Sequence, residues 1–270
     1  MKTPALRPTL YVFAISHYCE KARWALDYLN IDYRLQHLSP ISYMKFVRSL
    51  GVADTTLPVL TVGSLTLQGS SQIIDWAETH CQSGSRSTQA SQTRTLVADS
   101  DAGISRSREI EQRLDDLAGV HIRRYYYSDA LLTQPQQVRP IFSRHLRWHE
   151  QLMLRLAWNK VCQHMIRGLD LGVEQGRESR QIIDTELDWL DQLLAGKRRF
   201  LVGERFSRAD IVAASLLSPL VLPAQHPTYH NMQLPPGLAA DAADWQERPS
   251  MCWIRDIYHD YRKLPQSGAS

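Results

Sequence analysis

Four residues near the start of the chain, Ser16-His17-Tyr18-Cys19, have side chains that could do chemistry. They follow a short apolar run and begin a helical pattern, so Ser16 lies at the predicted helix N-terminus. A group at that position faces unpaired backbone N–H groups and the positive end of the helix dipole, which favours an anion. Ser16 is therefore a candidate donor to a negatively charged ligand atom, and a plain helix N-cap is the alternative.

Cys19 is the other candidate for reactivity in this motif. It lies one turn inside the predicted helix, and a buried free cysteine usually behaves as a small hydrophobic residue. The four cysteines, Cys19, Cys81, Cys162 and Cys252, form no CxxC pair and have no metal-ligand spacing. We therefore expect reduced thiols, with paired disulfides as the alternative, and no metal site.

Leu57 and Pro58 open a predicted strand. A proline inside a sheet removes a ladder hydrogen bond. It is therefore expected on an edge strand or where the backbone departs from regular strand geometry. A cis Leu57–Pro58 bond is uncommon and normally has a purpose. From the residues alone, a cis bond and a trans proline at the start of an edge strand both stay open.

The segment Gln68-Gly69-Ser70-Ser71 connects a predicted strand to a predicted helix. The Ser70 hydroxyl and the helix N-terminus suit a carboxylate. Strand alternation points the Gln68 side chain toward the other face of the sheet. Ser70 is thus a second candidate for anion binding.

The elements that must position these residues form a unit of about 80 residues with the order β-α-β, α, β-β-α. Apolar runs of strand length predict strands over 9–15, 31–37, 57–62 and 64–67. Helical spacing of apolar residues predicts helices over 17–30 and 70–80, with a less regular pattern over 43–50. A tight turn at Gly63 joins the last two strands, and the α/β layout suits a βαβ unit.

A polar stretch separates this unit from the rest of the chain. Residues 82–95 contain one hydrophobic residue, Ala90, so they cannot bury enough apolar area to offset the entropy of ordering. We predict a linker there, with an α/β domain over 1–81 and an all-helical domain over 96–270.

Helical patterns run through almost all of the second domain. A core-facing stripe with helical spacing is formed by Ile183, Leu187, Leu190 and Leu194. Ser207 and Asp210 precede an apolar run at the spacing of a capping box, in which each residue satisfies a backbone N–H group near the other.

The composition excludes a disordered, a collagen-like and a coiled-coil protein. Hydrophobic residues make up 43% and charged residues 22% of the 270, an ordinary balance for a globular chain. The net charge of +3 is small and evenly spread, so we expect neither nucleic acid nor an anionic membrane surface as a partner. The absence of a secretory signal and of a membrane-spanning run favours a cytoplasmic location.

Three patterns together resemble the cytosolic glutathione S-transferase superfamily, in the bacterial type with a Ser-x-x-Cys motif. They are ISHYCEKARWAL at 15–26, TLPVL at 56–60 and FLVGERFSRADI at 200–211. The resemblance covers about residues 9–80 and 100–262. It implies a thioredoxin-like α/β N-terminal domain followed by an all-α C-terminal domain.

The resemblance also implies glutathione as cosubstrate, with Ser16 as the hydrogen-bond donor that keeps its thiol as thiolate. The implied glutathione contacts are Tyr18, Leu57, Pro58, Val59, Ser70 and Ser71. In this scheme the cis proline exposes the Val59 backbone to the cysteinyl part of glutathione, and Ser70 holds the γ-glutamyl group. The acid or amide that the family has before that serine is replaced by Gly69, so we expect weaker glutathione binding.

The predicted function is conjugation of glutathione to small hydrophobic electrophiles, a detoxification chemistry, by a homodimer as in the family. The electrophile would lie between the domains, where Tyr125, Tyr126, Tyr127 and Trp158 are candidate wall residues. Two alternatives stay open. One is a non-catalytic binding or assembly module on the same scaffold, which Gly69 favours; the other is a glutathione-dependent thiol reductase that uses Cys19.

Overall fold

The computed structural model describes residues 7–84, 94–229 and 232–263. The first region forms a four-stranded sheet in the order β2-β1-β3-β4, with β1 parallel to β2 and the other neighbours antiparallel. Its elements are β1 (Thr9–Val12), α1 (His17–Tyr28), β2 (Arg34–His37), α2 (Tyr43–Ser49), β3 (Val59–Val62), β4 (Leu65–Gln68) and α3 (Ser70–Gly84). This is the predicted thioredoxin-like arrangement.

The sheet is covered on both faces, as alternation along β3 shows. Leu60 joins the main core together with Ala22 of α1 and Ile73 of α3. The preceding residue, Val59, packs with Val47 of α2 in a separate small cluster. Because successive side chains of a strand point to opposite faces, α1 and α3 lie on one side and α2 on the other.

The second region is helical, as predicted. Its elements are α4 (Asp101–Arg113), a π-helical turn (Leu114–Gly119), α5 (Val120–Thr133), α6 (Pro135–Ser143), α7 (Trp148–Gly168), α8 (Val173–Leu193), α9 (Arg208–Val221), α10 (Pro236–Trp245) and α11 (Pro249–Tyr261). The predicted stripe of α8, from Ile183 to Leu194, is buried. Helix α9 is buried along nearly its whole length and forms the centre of the domain.

The capping box that begins α9 is confirmed. The Asp210 carboxylate accepts hydrogen bonds from the backbone N–H groups of Ser207 at 2.8 Å and Leu201 at 2.9 Å. Burial raises the pKa of Asp210 to about 7. These bonds hold the loop before α9 as well as the start of the helix. Loss of such a cap typically costs about 1 kcal/mol of stability.

The end of the chain returns to the first helix. Arg262, just after α11, is buried and donates from Nε to Glu20 at 2.6 Å and from Nη1 to Asp27 at 2.8 Å. The Trp24 indole also donates to the Tyr261 carbonyl at 3.3 Å. We call the Arg262–Glu20–Asp27 contact the C-terminal clasp. It anchors α1 to the helical domain.

The predicted domain boundaries stay predictions. Helix α3 continues to Gly84, three residues into the predicted linker, and residues 85–93 of that linker lie outside the described residues. Within the described ranges, no helix is both long and apolar enough to cross a membrane.

Candidate active site

Ser16 occupies the N-cap of α1, at the junction where β1 passes into the helix. Its hydroxyl oxygen accepts a hydrogen bond from the Cys19 backbone N–H at 3.3 Å. The side chain is half-buried and lines a cavity between the two domains. A capping hydroxyl that accepts from the backbone still carries a hydrogen that it can donate. The N-cap role and the donor role are therefore compatible.

The two following residues direct their polar atoms into the helical domain. The buried His17 ring donates from Nε2 to the Gly119 carbonyl at 3.0 Å, and burial lowers its pKa to about 3. The Tyr18 hydroxyl donates to the Asp115 carbonyl at 2.7 Å, and burial raises its pKa. Both groups are neutral at physiological pH. Tyr18 lines the cavity, but its hydroxyl hydrogen is used in the bond to the Asp115 carbonyl.

Cys19 is a core residue. Only 3% of its surface is exposed, and burial raises the pKa of its thiol to about 12. Since the thiolate is the reactive form of cysteine, this thiol is unreactive in the folded protein.

The Leu57–Pro58 bond is cis, as predicted. The expectation for Val59 is wrong, because β3 is a central strand: Val59 is fully buried and pairs with both Tyr11 of β1 and Gln68 of β4. Pro58 is buried as well, and its carbonyl accepts from the Gly69 N–H at 2.9 Å.

Leu57 is the residue of this turn that reaches the cavity. Its backbone N–H and carbonyl make no hydrogen bond with any residue that the structure describes. Unpaired backbone groups beside a cavity are suited to pairing with an extended peptide. Sequence reasoning named Leu57 as a contact but assigned the open backbone to the wrong residue.

The turn before α3 contains a residue in the left-handed region of backbone conformation. Gly69 has a φ of +90°, a conformation that residues with a Cβ atom rarely adopt. Ser70, the first residue of α3, is buried, and its hydroxyl has no hydrogen-bond partner among the described residues. Gln68 points elsewhere, as predicted: its amide nitrogen donates to the carbonyls of Asp54 at 2.8 Å and Thr56 at 3.1 Å.

Ser71 faces the helical domain. Its hydroxyl lies 2.8 Å from a Glu111 carboxylate oxygen and accepts from the Lys21 ammonium at 3.2 Å. Because these groups engage the hydroxyl, we leave Ser71 out of the proposed glutathione contacts.

Lys21 is the centre of a buried group of charges between the domains, which we call the ionic cluster. Its ammonium is fully buried and lies 2.8 Å from Glu111 and 2.7 Å from Asp115. Arg208, at the start of α9, donates to Glu111 at 2.6 Å and to Asp75 of α3 at 2.5 Å. Burial by itself raises the pKa of Glu111, but the two cations outweigh it and hold that pKa at about 2. The cluster joins α1, α3, α4 and α9.

The sequence contains a signal for this cluster that went unused. Lys21 is three residues after Tyr18 and four before Ala25, so it falls on the apolar stripe of α1. A charge on such a stripe has to be buried with a partner.

The cavity has a volume of about 540 Å³ and takes its walls from both domains. The N-terminal domain contributes Phe13, Ser16, Tyr18, Tyr43 and Leu57, and the helical domain contributes Ile122, Arg123, Tyr126, Tyr127, Phe142 and residues of α7. Most of these side chains are apolar or aromatic. Such a lining suits a hydrophobic ligand.

Two of the four predicted wall residues lie elsewhere. The Tyr125 hydroxyl donates to Asp241 of α10. Trp158 is buried in the core and donates from its indole nitrogen to the Pro135 carbonyl at 2.9 Å. The extended segment after α9 supplies wall residues that the sequence did not indicate, Tyr229 and Met232. Within the described ranges, no cluster of His, Cys, Asp or Glu side chains could hold a metal ion.

Comparison with known proteins agrees with this geometry. Residues 10–83 match the sequence model of the glutathione S-transferase N-terminal domain. No curated protein matches the chain. The fold is similar to that of glutathione transferase GSTFuA3 from Phanerochaete chrysosporium, at 15% identity and a TM-score of 0.61 over 97% of this chain and 99% of that chain.

Two further solved structures show the same architecture. The β-etherase LigF from Sphingobium sp. strain SYK-6 is 16% identical, with a TM-score of 0.56 over 93% of this chain and 99% of that chain. A glutathione S-transferase from Methylobacterium radiotolerans, in complex with glutathione sulfonate, is 18% identical, with a TM-score of 0.52 over 98% of each chain. Residues 10–83 thus match the glutathione S-transferase N-terminal domain, and the solved structures show that the chain shares the fold of these proteins.

Proposed function

We propose that this chain, whose N-terminal domain matches the glutathione S-transferase family, conjugates glutathione to small hydrophobic electrophiles. One observation carries the proposal: the Ser16 hydroxyl at the N-terminus of α1 and the unpaired Leu57 backbone line the same largely apolar cavity. A peptide thiol held there would meet a hydrophobic partner from the helical domain.

Glutathione would be held by the N-terminal domain. The Leu57 N–H and carbonyl would pair with the cysteinyl residue, as an added strand pairs with a sheet edge. The Ser70 hydroxyl and the N-terminus of α3 suit the γ-glutamyl carboxylate. The relative solved with glutathione sulfonate supports this ligand class.

Ser16 would act on the sulfur. A donated hydrogen bond stabilises the thiolate over the thiol, and the positive end of the α1 dipole adds to that effect. With a chloronitroaromatic substrate, the thiolate electron pair forms a C–S bond to the ring carbon that carries chlorine. The C–Cl bond then breaks and its electron pair leaves as chloride. The thiol proton is released to solvent when the thiolate forms.

Gly69 sets the expected affinity. A glycine there offers no side-chain hydrogen bond to the charged γ-glutamyl group, which weakens binding by about 1.5–3 kcal/mol, or tenfold to a hundredfold. We therefore propose a glutathione dissociation constant between the high micromolar and the millimolar range. A Gly69→Glu substitution does not simply restore the contact, because the positive φ strains any residue with a Cβ atom.

Titration calorimetry with glutathione, followed by turnover of 1-chloro-2,4-dinitrobenzene, tests the proposal. Binding with turnover above the non-enzymatic rate supports a transferase. Binding without turnover on any electrophile of a broad panel refutes the transferase. Absence of binding at tens of millimolar glutathione refutes both enzyme hypotheses, the transferase and the thiol reductase, and supports the non-catalytic module, which the missing side chain at Gly69 favours.

The remaining expectations are also proposals. The buried thiol of Cys19 argues against the thiol reductase alternative. The homodimer, implied by the family, is tested by light scattering of the purified protein. A cytoplasmic location is tested by fractionation of cells that express the full chain.

A further inference from the structure

The charges that line the cavity are all of one sign. No Asp or Glu side chain is among the described residues of its wall, whereas Arg123 of α5 and Lys160 of α7 both contribute to it. Lys160 is exposed at the rim and Arg123 is half-buried within. A ligand in this cavity therefore meets a cationic group in apolar surroundings.

Arg123 differs from the other partly buried arginines of the helical domain in having no partner. Arg113 is paired with Glu186 at 2.8 Å, and Arg208 is paired within the ionic cluster. Arg123 forms no hydrogen bond or ion pair with any residue that the structure describes. A guanidinium withdrawn from water without a counter-charge is costly, and a bound anion would offset that cost.

Arg123 lies close enough to His17, the residue after Ser16, for its charge to act on that ring. Burial is the main reason why the pKa of His17 is low, and the Arg123 charge lowers it further. Tyr126 and Tyr127, on the same turn of α5, bring aromatic rings to the cavity beside it. A planar cation among aromatic rings is suited to an aromatic acid, because guanidinium binds a carboxylate through two parallel hydrogen bonds.

We propose that the electrophile is an aromatic compound that carries a carboxylate or sulfonate group, and that Arg123 binds this group. The inference rests on the proposed transferase function and specifies its second substrate. We assign the anion to the electrophile and not to glutathione because the proposed glutathione contacts, Leu57 and Ser70, belong to the other domain. Lys160 at the rim would attract such anions toward the cavity.

A matched pair of electrophiles tests the assignment. The neutral substrate is 1-chloro-2,4-dinitrobenzene and the anionic one is 4-chloro-3,5-dinitrobenzoate, each rate being divided by its non-enzymatic rate with glutathione. We expect the wild type to prefer the benzoate in kcat/KM. In Arg123→Gln this preference should fall about tenfold to a hundredfold, the usual effect of one lost hydrogen bond to a charged group. Arg123→Lys should keep part of it.

Arg124→Gln is the matched control, since Arg124 is paired with Asp170 and Glu178 and does not line the cavity. Its preference should equal that of the wild type. An unchanged preference in Arg123→Gln would overturn the proposal. A raised KM for glutathione, with both electrophiles slowed alike, would overturn it too, by showing that Arg123 binds glutathione.

A binding experiment separates this inference from the proposed function. Calorimetry compares two unreactive ligands, 3,5-dinitrobenzoate and 1,3-dinitrobenzene. Tighter binding of the acid by the wild type, lost in Arg123→Gln, supports the anion site even if no conjugation is found. Turnover of the neutral substrate without any preference for the acid would leave the transferase function standing and refute the inference.

Discussion

Two regions lie side by side at the boundary between the domains, and α1 contributes to both. Tyr18 faces the cavity, and Lys21, three residues later, is the centre of the ionic cluster. In the ionic cluster every cation has a carboxylate within 2.8 Å, and most of the charges are buried. In the cavity the cation Arg123 has no partner among the described residues. The paired charges of the ionic cluster join the two domains, whereas the guanidinium of Arg123 is left without a counter-charge from the described residues.

The energetics of the two regions differ accordingly. A buried charge that loses its partner keeps the full desolvation cost, so a change inside the ionic cluster acts on folding. A change in the cavity wall removes a contact that only the ligand completes, so it acts on binding and turnover. A cluster variant that changed only turnover, or a cavity variant that changed only stability, would contradict this assignment.

The largest effect is expected for Lys21→Met. Loss of the ammonium leaves Glu111 and Asp115 with one cation fewer in a buried site, which should lower the free energy of unfolding by about 3–5 kcal/mol. Urea denaturation measures this. Arg106→Met, which breaks the exposed pair with Glu109, is the control and should change stability by less than about 1 kcal/mol. Equal stabilities of the Lys21 variant and the wild type would mean that the ionic cluster does not hold the fold.

Ser16→Ala is expected to act mainly on turnover. Without the donated hydrogen bond, kcat/KM for 1-chloro-2,4-dinitrobenzene should fall tenfold to a hundredfold, while loss of the cap costs only about 1 kcal/mol of stability. Ser100→Ala removes a comparable cap at the start of α4, where Ser100 accepts from the Gly103 N–H at 3.1 Å. It should lose similar stability and no activity. Full activity of Ser16→Ala would assign the thiolate contact to a different donor.

The stability that the ionic cluster contributes should depend on pH, unlike that of an exposed carboxylate. The folded pKa of Glu111 is depressed from 4.5 to about 2. Its stabilising contribution is therefore complete above pH 4.5 and is lost as the pH falls through 2. Urea midpoints measured from pH 6 to pH 3 should fall less steeply for Glu111→Gln than for the wild type. Glu109→Gln, on the exposed surface of α4, should follow the wild-type curve.

The smallest effect on activity is expected for Cys19→Ala. The thiol is buried and protonated, so glutathione binding and conjugation should change less than about twofold, with a loss of about 1 kcal/mol from the smaller core side chain. Steady-state kinetics and urea denaturation measure the two quantities. If activity fell more than tenfold while stability was retained, Cys19 would have to take part in the reaction.

Most of the fold was predictable because local patterns determine it. The strand starting at Thr9, the helix from His17 and the stripe of α8 follow from the spacing of apolar residues. The start of β3 was predicted two residues early, because its pairing with β1 and β4 begins only at Val59. The π-helical turn between α4 and α5 has no pattern of its own in the sequence.

The site was predictable only in part, since several of its properties come from residues far apart in the chain. Ser16 and Leu57 followed from their motifs. The pairing of Val59 with strands on both sides and the contact of Ser71 with Glu111 of α4 are tertiary, so the sequence did not indicate them. Arg123 carried no local signal at all, for the absence of a partner is visible only when the surroundings are known.

The C-terminal clasp bears on how the protein is made. Glu20 is synthesised 242 residues before Arg262, the cation that neutralises it. At about 5–20 residues per second, the interval between the end of the small domain and Arg262 is on the order of ten seconds or more. During that time Glu20 lacks its cation, whereas Glu111 and Asp115, the partners of Lys21, are synthesised early in the interval. The buried carboxylates of α1 that pair with Arg262 are therefore neutralised only after the helical domain has been synthesised.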